Sequence, residues 1–136
     1  MTTVKAKYLG DLRVECEHLQ SGTKIITDAP TDNNGKGEAF SPTDLCATSL
    51  GACMMTIMGI YARHAGLDLE GTEIEISKKM LQDPRRIGGV DIIFNMPAKN
   101  YSAKDKKALE RAAHTCPVHF SLNGEIEQNI VFNWAN

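Results

Sequence analysis

The feature that most constrains this chain is one long stretch without charge, which lies between Asp44 and Arg63. No other apolar run in the 136 residues is as long, so the core of the protein must be built on it. Cys53 lies near the middle of the stretch, among small and apolar neighbours. The first question for function is whether Cys53 is only a core residue or a reactive thiol.

Local signals predict that this stretch forms one helix. Ser41 is a good N-cap, Pro42 suits the first helical position, and Asp44 falls where a capping box carries its acid. Gly66 suits a left-handed cap at the other end. The stretch is also long enough to span a bilayer, but it is rich in Gly, Ala, Ser, Thr and Cys. We therefore predict the long buried central helix of a soluble domain, with no membrane partner.

Segments on both sides of the helix alternate apolar and polar residues, as half-buried strands do. The predicted strands are Val4–Tyr8, Leu12–Glu17, Thr23–Thr27, Leu69–Met80, Ile87–Met96 and Glu125–Trp134. Ser102 and Pro117 predict the starts of two further helices, the second with Cys116 at its N-cap. The order is βββ-α-ββ-αα-β, which is an α+β fold, and we predict that residues 1–136 form a single domain.

Composition argues against nucleic acid and anionic membranes as partners. The net charge is −2, no run of Lys or Arg is present, and aromatic residues make up 6% of the chain. The N-terminal sequence lacks the apolar core of a signal peptide, so we predict a cytoplasmic protein. In that reducing compartment the four irregularly spaced cysteines are packing residues or reactive thiols more often than disulfides.

Two of the cysteines lie where their position is informative about thiol chemistry. Cys53 is roughly 18 Å along the predicted helix, beyond the reach of the helix dipole, so its activation requires a group from elsewhere. Cys116 is expected to have a lowered thiol pKa, because unpaired backbone N–H groups face it at a helix N-terminus. Cys46 lies two turns before Cys53 and is a minor candidate, whereas Cys16 is predicted to be structural.

The residues alone leave a metal site and a hydrolase as weaker alternatives. His114, Cys116 and His119 are close in sequence, but a closed zinc site needs four ligands and the sequence has no second cluster. No local nucleophile signature supports a Cys–His hydrolase. We therefore expect no metal, and a packing role for Cys53 and Cys116 stays open at this point.

Two motifs, SPTDLCATSLGAC and HTCPVHFSL, resemble those of the OsmC/Ohr family of thiol-dependent organic hydroperoxide reductases. The shared pattern is a Pro-x-acid-Leu segment, then small residues, then Gly-Ala-Cys within a long helix, and a second Cys-Pro further along. Segments after the helix and in the hairpin agree as well, namely Gly66–Leu67, Leu69–Gly71 and Asp83–Arg86. The resemblance covers essentially the whole chain and agrees with the predicted order of elements.

The resemblance implies an intertwined homodimer, with two central helices at its middle and two active sites at the subunit interface. It also implies that Cys53 is the peroxidatic cysteine and Cys116 the resolving one. Cys53 would then reduce a small organic hydroperoxide, or hydrogen peroxide, through a sulfenic acid and a Cys53–Cys116 disulfide. A dithiol reductant, such as a lipoylated protein, would reduce that disulfide, and no metal, haem or flavin cofactor is implied.

The family also has an arginine that stabilises the thiolate and a glutamate at the helix start that holds this arginine. Arg13 is the expected counterpart of the arginine, with the pair Arg85–Arg86 as an alternative. Thr43 stands at the position of the glutamate, so Asp44 beside it and Glu38 in the preceding loop are the expected carboxylates. These departures place the chain in an OsmC-like branch of the family rather than among typical Ohr enzymes.

A second hypothesis is a ligand-binding or stress-associated protein of the same fold, with weak or no peroxidase activity. The missing glutamate favours this hypothesis. The presence of both Cys53 and Cys116 favours the peroxidase, because a binding module has no need of the pair. Four apolar residues, which also suit a core, are candidates for a peroxide pocket: Met54, Met55, Met58 and Phe120.

Overall fold

The central segment forms the helix that the local signals predict. In the computed structural model, which describes residues 1–135, helix α1 spans Pro42–Ala65, and Gly66 follows it with a φ of +71°. The Ser41 Oγ accepts a hydrogen bond from the Asp44 N–H at 3.0 Å, and the Asp44 Oδ2 accepts one from the Ser41 N–H at 2.9 Å. The reciprocal capping box and the left-handed glycine confirm both predicted ends of the helix.

Six strands and two shorter helices complete the predicted α+β order. They are β1 (Val4–Gly10), β2 (Arg13–His18), β3 (Lys24–Asp28), β4 (Glu73–Leu81), β5 (Arg86–Asn95), α2 (Ala103–Ala113), α3 (Pro117–Ser121) and β6 (Glu127–Asn133). A short 3-10 turn lies at Thr31–Asn33. The chain divides into two compact units, residues 1–46 and the residues from 47 onwards.

The first unit is an antiparallel sheet in the order β1-β2-β3, followed by a loop. Its register pairs Arg13 at the start of β2 with Asp28 at the end of β3. The apolar residues of β1 alternate with lysines as predicted but are exposed, since Val4 is 47% and Tyr8 is 63% accessible. The Asp28 N–H donates to the Phe40 carbonyl at 3.0 Å and closes the loop. This sheet therefore buries little apolar surface of its own.

The second unit contains a mixed sheet in the order β4-β5-β6. β4 and β5 form the predicted antiparallel hairpin, and β6 pairs with β5 in parallel, with Ile92 opposite Ile130. Parallel neighbours need a long crossover, and the segment that carries α2 and α3 provides it. β4 begins at Glu73 rather than at the predicted Leu69, because the Thr72 N–H and hydroxyl both donate to the Leu69 carbonyl and form a turn.

One face of α1 packs into the core of the second unit. The largest fully buried apolar side chains are Leu50, Met54, Met58, Val90, Ile92, Phe94 and Leu109. Full burial of one such side chain stabilises the fold by about 1.5–3 kcal/mol. The Phe94 ring also stacks on the Phe132 ring of β6, with centroids 5.1 Å apart. The central helix is therefore the main apolar element of this unit, as its lack of charge predicts.

The opposite face of α1 is not buried within the chain. Ala52 and Thr56 are exposed, and Ile60 is 50% exposed. Among the described residues, α1 is also the one helix that is long and apolar enough to cross a membrane. Core helices of soluble proteins share this length and composition, so the observation is weak evidence for a membrane span.

Candidate active site

Two thiols that are distant in the sequence meet in the second unit. Cys53 lies on α1 and is half-buried, whereas Cys116 directly precedes α3 and is fully buried in the core cluster. The Cys53 side chain lies close enough to the Cys116 thiol to raise its pKa, and both cysteines are free thiols. The other two cysteines, Cys16 on β2 and Cys46 early in α1, belong to the first unit. The fold thus brings together the two cysteines that the sequence analysis selects.

Backbone N–H groups reach the Cys116 sulfur, as expected at a helix N-terminus. Cys116 is the N-cap of α3, and its Sγ accepts a hydrogen bond from the His119 N–H at 3.2 Å. Burial nevertheless raises the pKa of the Cys116 thiol, against the lowering effect of the His119 N–H, and the neighbouring Cys53 raises it further. The prediction of a lowered pKa is therefore wrong, because desolvation of the thiolate outweighs the hydrogen bonds to it.

The amide side chain of Gln128 on β6 hydrogen-bonds to His119 at both of its ends. The His119 Nδ1 lies 2.5 Å from the Oε1 of Gln128 on β6, and the Gln128 Nε2 donates to the His119 carbonyl at 3.4 Å. His114 packs edge-on against the His119 ring, with centroids 5.9 Å apart. Residues 1–135 contain no group of three or more His, Cys, Asp or Glu side chains placed to hold a metal ion.

A second polar cluster lies in the first unit around Arg13. The Arg13 Nη2 lies 3.0 Å from the Glu38 Oε2 and 3.4 Å from the Asp28 Oδ2. The Asp28 side chain is 1% exposed, and its Oδ2 also accepts the Glu38 N–H at 3.1 Å. This backbone hydrogen bond and the Arg13 charge hold the pKa of Asp28 below its ordinary value, although burial opposes the shift. Arg13 is thus fixed by one carboxylate at a strand end and another in the loop.

The carboxylate predicted beside the helix start takes part in capping. Asp44 accepts the Ser41 N–H, and the Thr43 Oγ1 lies 3.1 Å from the Ser41 Oγ. Thr43 stands where the resemblance implies a glutamate, and a hydroxyl carries no charge to pair with an arginine. The geometry therefore gives Asp44 a structural role, and a catalytic role for it stays a prediction.

The remaining candidates are Arg86 and the apolar residues considered for a pocket, and most of them contact other parts of the fold. The Arg86 guanidinium donates to two carbonyls of the β4–β5 turn, at 2.9 and 3.0 Å. Met54 and Met58 are fully buried in the core and Met55 is half-buried, whereas Phe120 on α3 is 70% exposed. Of the four residues considered for a pocket, Met54 and Met58 therefore belong to the core.

Comparison with known proteins identifies the family. A model of the family of OsmC-like proteins matches residues 35–131 of the chain. This chain belongs to the OsmC-like family. The matched segment includes Cys53 and Cys116 but begins after Arg13 and Asp28. The resemblance noted from the two cysteine motifs is confirmed.

Solved structures share the fold of this OsmC-like protein. A protein from Psychrobacter arcticus 273-4, named for osmotic stress induction and detoxification response, is 50% identical with a TM-score of 0.94, over 98% of this chain and 96% of that chain. The organic hydroperoxide resistance protein OsmC of Legionella pneumophila is 20% identical with a TM-score of 0.74, over 98% of both chains. OhrB of Bacillus subtilis is 20% identical with a TM-score of 0.69, over 97% of this chain and 98% of that chain. Comparison with curated protein sequences gave no match.

Two polar residues of the OsmC-like chain, Asp28 and Gln128, are not identified from the sequence alone. Asp28 precedes a loop rich in turn formers, and only the register that sets it opposite Arg13 marks it as a buried partner. Gln128 is the polar member of a half-buried row on β6 that otherwise contains Ile130 and Phe132. That break in an apolar row is the one local signal from which Gln128 could have been found.

Proposed function

We propose that this OsmC-like protein is a thiol-dependent peroxidase that reduces small organic hydroperoxides and hydrogen peroxide. The observation that carries the proposal is the pair of neighbouring free thiols, Cys53 and Cys116. The structural relatives support a role in peroxide-related stress, since one is named for organic hydroperoxide resistance and another for a detoxification response. These names describe the relatives, and peroxidase activity in this chain is our proposal.

Cys53 is the attacking residue in this proposal, because it is half-buried whereas Cys116 is fully buried and has a raised thiol pKa. The Cys53 thiolate takes the terminal oxygen of the peroxide. The O–O bond breaks, and the alkoxide leaves as alcohol after it takes up a proton. The Cys53 sulfur is oxidised to a sulfenic acid.

Cys116 then resolves the sulfenic acid. Its thiolate attacks the Cys53 sulfur, the S–O bond breaks, and the hydroxide that leaves takes a proton to become water. An external dithiol, such as a lipoylated protein or a small dithiol, reduces the Cys53–Cys116 disulfide by two exchange steps and is itself oxidised to a disulfide. We propose that this cycle runs in the cytoplasm, where such reductants are kept reduced.

Arg13 is proposed to stabilise the Cys53 thiolate, as the family resemblance implies. Support comes from its two ion pairs, which hold the guanidinium in one orientation through Asp28 and Glu38. In this proposal the two carboxylates do what a glutamate at the position of Thr43 does elsewhere in the family. Arg is suited to this task because its planar group can bond two partners at fixed angles.

A homodimer is proposed as the working form. The exposed face of α1, which includes Ile60, and the exposed strand β1, which includes Val4 and Tyr8, present apolar side chains to solvent in the single chain. Apolar surface of this kind is typical of an interface between subunits. A second copy of the chain, paired as the family resemblance implies, would bury it.

A second candidate function is a ligand-binding or stress-associated protein without useful peroxidase activity. Thr43 favours it, because the uncharged hydroxyl bonds to Ser41 where the family has a glutamate. The two candidates differ in one outcome, since only the peroxidase consumes peroxide while it forms a Cys53–Cys116 disulfide.

The decisive experiment is disulfide mapping by mass spectrometry after one equivalent of cumene hydroperoxide. The wild type is expected to form a Cys53–Cys116 crosslink. Cys53→Ser should abolish peroxide consumption, and Cys116→Ser should accumulate a sulfenic acid on Cys53 that dimedone traps. Cys16→Ser is the matched control and should keep the wild-type turnover. Unchanged turnover in Cys53→Ser, or oxidation without the crosslink, would contradict the proposed mechanism.

A further inference from the structure

Gln128 is a polar residue in a row of side chains that otherwise faces the core. Along β6, residues 128, 130 and 132 are half-buried and alternate with exposed neighbours. The other two members of the row, Ile130 and Phe132, pack against the hydrophobic core. A polar side chain in such a row destabilises the fold unless its amide is hydrogen-bonded. The partners of the Gln128 amide therefore indicate why it is there.

Both ends of the amide bond to one residue, His119 on α3. The Gln128 Nε2 donates to the His119 carbonyl at 3.4 Å, and the Gln128 Oε1 lies 2.5 Å from the His119 Nδ1. Because the amide nitrogen is the donor to the carbonyl, Oε1 is the acceptor and the His119 Nδ1 carries the proton. Bonds to the main chain and the side chain together fix both the position and the rotation of His119.

His119 in turn contacts the buried thiol. Its backbone N–H donates to the Cys116 Sγ at 3.2 Å. Helix α3 has only 5 residues, so few internal hydrogen bonds hold this N–H in place. Gln128 supplies an anchor from the adjacent strand, and the three residues form one chain of contacts from β6 to the sulfur.

We propose that Gln128 is a positioning residue for disulfide formation: its amide holds His119, and through His119 the backbone N–H that bonds the Cys116 sulfur. The inference rests on the proposed function, in which Cys116 must lose its proton before it attacks the Cys53 sulfenic acid. A hydrogen bond to a thiolate is stronger than one to a neutral thiol, so a well-aimed N–H favours the attacking form. Gln128 thus assists the second chemical step and has no part in the first, the attack of Cys53 on peroxide.

The first test measures the ionisation of Cys116 without any peroxide. Gln128→Met keeps the length of the side chain but removes both hydrogen bonds. The Cβ chemical shift of Cys116, followed by carbon NMR against pH in a Cys53→Ser background, needs no access to the buried thiol. In Gln128→Met its titration midpoint is expected to be higher by about half to one pH unit. Asn129→Met is the matched control, since Asn129 is exposed on the same strand and bonds to Asp91 at 2.8 Å. It should leave the midpoint unchanged.

The second test asks whether Gln128 acts through His119. His119→Phe keeps the backbone N–H and a ring but removes the Nδ1–H donor to Gln128. It should raise the Cys116 midpoint by part of the Gln128→Met shift, since the Gln128 bond to the carbonyl of residue 119 remains. The double variant should match Gln128→Met alone, because both changes break one path. In the Cys53→Ser background the neighbouring thiol of Cys53 is absent. His114, which packs on the His119 ring at the end of α2, is the same in Gln128→Met and Asn129→Met, so it does not affect their comparison.

A third measurement follows the resolving step in the otherwise wild-type protein. In a single turnover with cumene hydroperoxide, Gln128→Met should form the Cys53 sulfenic acid at the wild-type rate but convert it to disulfide about three- to tenfold more slowly at neutral pH, the factor that corresponds to the expected midpoint shift. A general loss of folding would slow both steps together. The rate of the first step therefore serves as the internal control.

The outcomes separate this inference from the proposed function. An unmoved Cys116 midpoint in Gln128→Met, or fully additive shifts with His119→Phe, would overturn the positioning role. If the Cys116 midpoint changes in Gln128→Met but the wild type reduces no peroxide, the proposed function is wrong. The path of contacts from Gln128 through His119 to Cys116 is then still supported. If peroxide is reduced through the Cys53–Cys116 disulfide at equal rates in Gln128→Met and Asn129→Met, the positioning role alone fails.

Discussion

Arg13 is held by two carboxylates of very different exposure. The Asp28 side chain is 1% exposed and the Glu38 side chain 59%. An ion pair with an exposed partner contributes about 0–1 kcal/mol, whereas loss of one member of a buried pair leaves an uncompensated polar group. The Asp28 Oδ1 also has no hydrogen-bond partner among the described residues, so Asp28 already carries a desolvation cost. Asp28 is therefore the more sensitive of the two positions.

Substitution of Asp28 is expected to change the acid stability of the protein. The pKa of Asp28 is lowered in the folded state, so its charge stabilises the fold above the ordinary value of 3.8, and this contribution is lost as the pH falls through the lowered folded value. Asp28→Asn should lower the melting temperature at pH 7, and the difference from the wild type should shrink below about pH 4. Circular dichroism melts from pH 7 to pH 3 measure this, with Glu38→Gln as the exposed control. Equal melting temperatures at pH 7 would count against the role of the Asp28 charge.

Helix α1 combines strong ends with an interior of mixed helix propensity. Its 24 residues include several Gly and Thr, which have modest helix propensity, so packing and caps must hold it. Gly51 shows the importance of close packing, because a Cβ there would lie 2.7 Å from the Ile76 Cδ1 on β4. The small residue lets the helix approach the sheet, and the capping box at Ser41 and Asp44 sets where the helix begins.

Removal of the cap is expected to destabilise the protein measurably. Ser41→Ala deletes the acceptor for the Asp44 N–H and should reduce the free energy of unfolding by about 1 kcal/mol. Asp44→Asn keeps a side-chain oxygen that can accept the Ser41 N–H, so its effect should be smaller. Urea unfolding followed by circular dichroism gives both values, with Thr2→Ala in the exposed N-terminal segment as a control. A Ser41→Ala variant as stable as that control would show that the capping box contributes nothing.

At the scale of the whole molecule, several large apolar side chains are exposed in the single chain. Ile60 on α1 and Tyr8 on β1 are 50% and 63% exposed, and β1 has almost no buried residue. Apolar side chains that stay exposed in the single chain are explained if a second copy covers them. In the proposed homodimer, the second copy removes this apolar surface from water.

A charge placed on the exposed face of α1 tests the proposed homodimer. The wild type is expected to elute with twice the chain mass of 14.9 kDa in size-exclusion chromatography with light scattering. Ile60→Lys would bury an unpaired charge in the interface and should weaken association by about 3 kcal/mol or more, on the order of a hundredfold in Kd. Gln20→Lys, in an exposed turn, introduces the same charge and should remain dimeric. A wild type that elutes as a monomer would refute the homodimer.

The positions of the helices and strands could be predicted from the sequence because their signals are local. Ser41 with Asp44, Pro117 after Cys116, and Gly66 each act through neighbours within about one helical turn. The strand alternation is equally local, and the most displaced boundary, at Leu69, reflects a turn made by Thr72 that alternation cannot show. The family, too, follows from the two cysteine motifs.

Only the tertiary structure decided what these residues meet. The proximity of Cys53 to Cys116 depends on how α1 and the α3 segment pack, and the register of β2 and β3 sets Asp28 opposite Arg13. The helix N-terminus at Cys116 favours ionisation, as the sequence indicates, but burial reverses the net effect on the thiol pKa. The physical reason is the same in each case: hydrogen-bonding patterns within a turn are encoded by adjacent residues, whereas desolvation, register and side-chain partners arise between segments far apart in the chain.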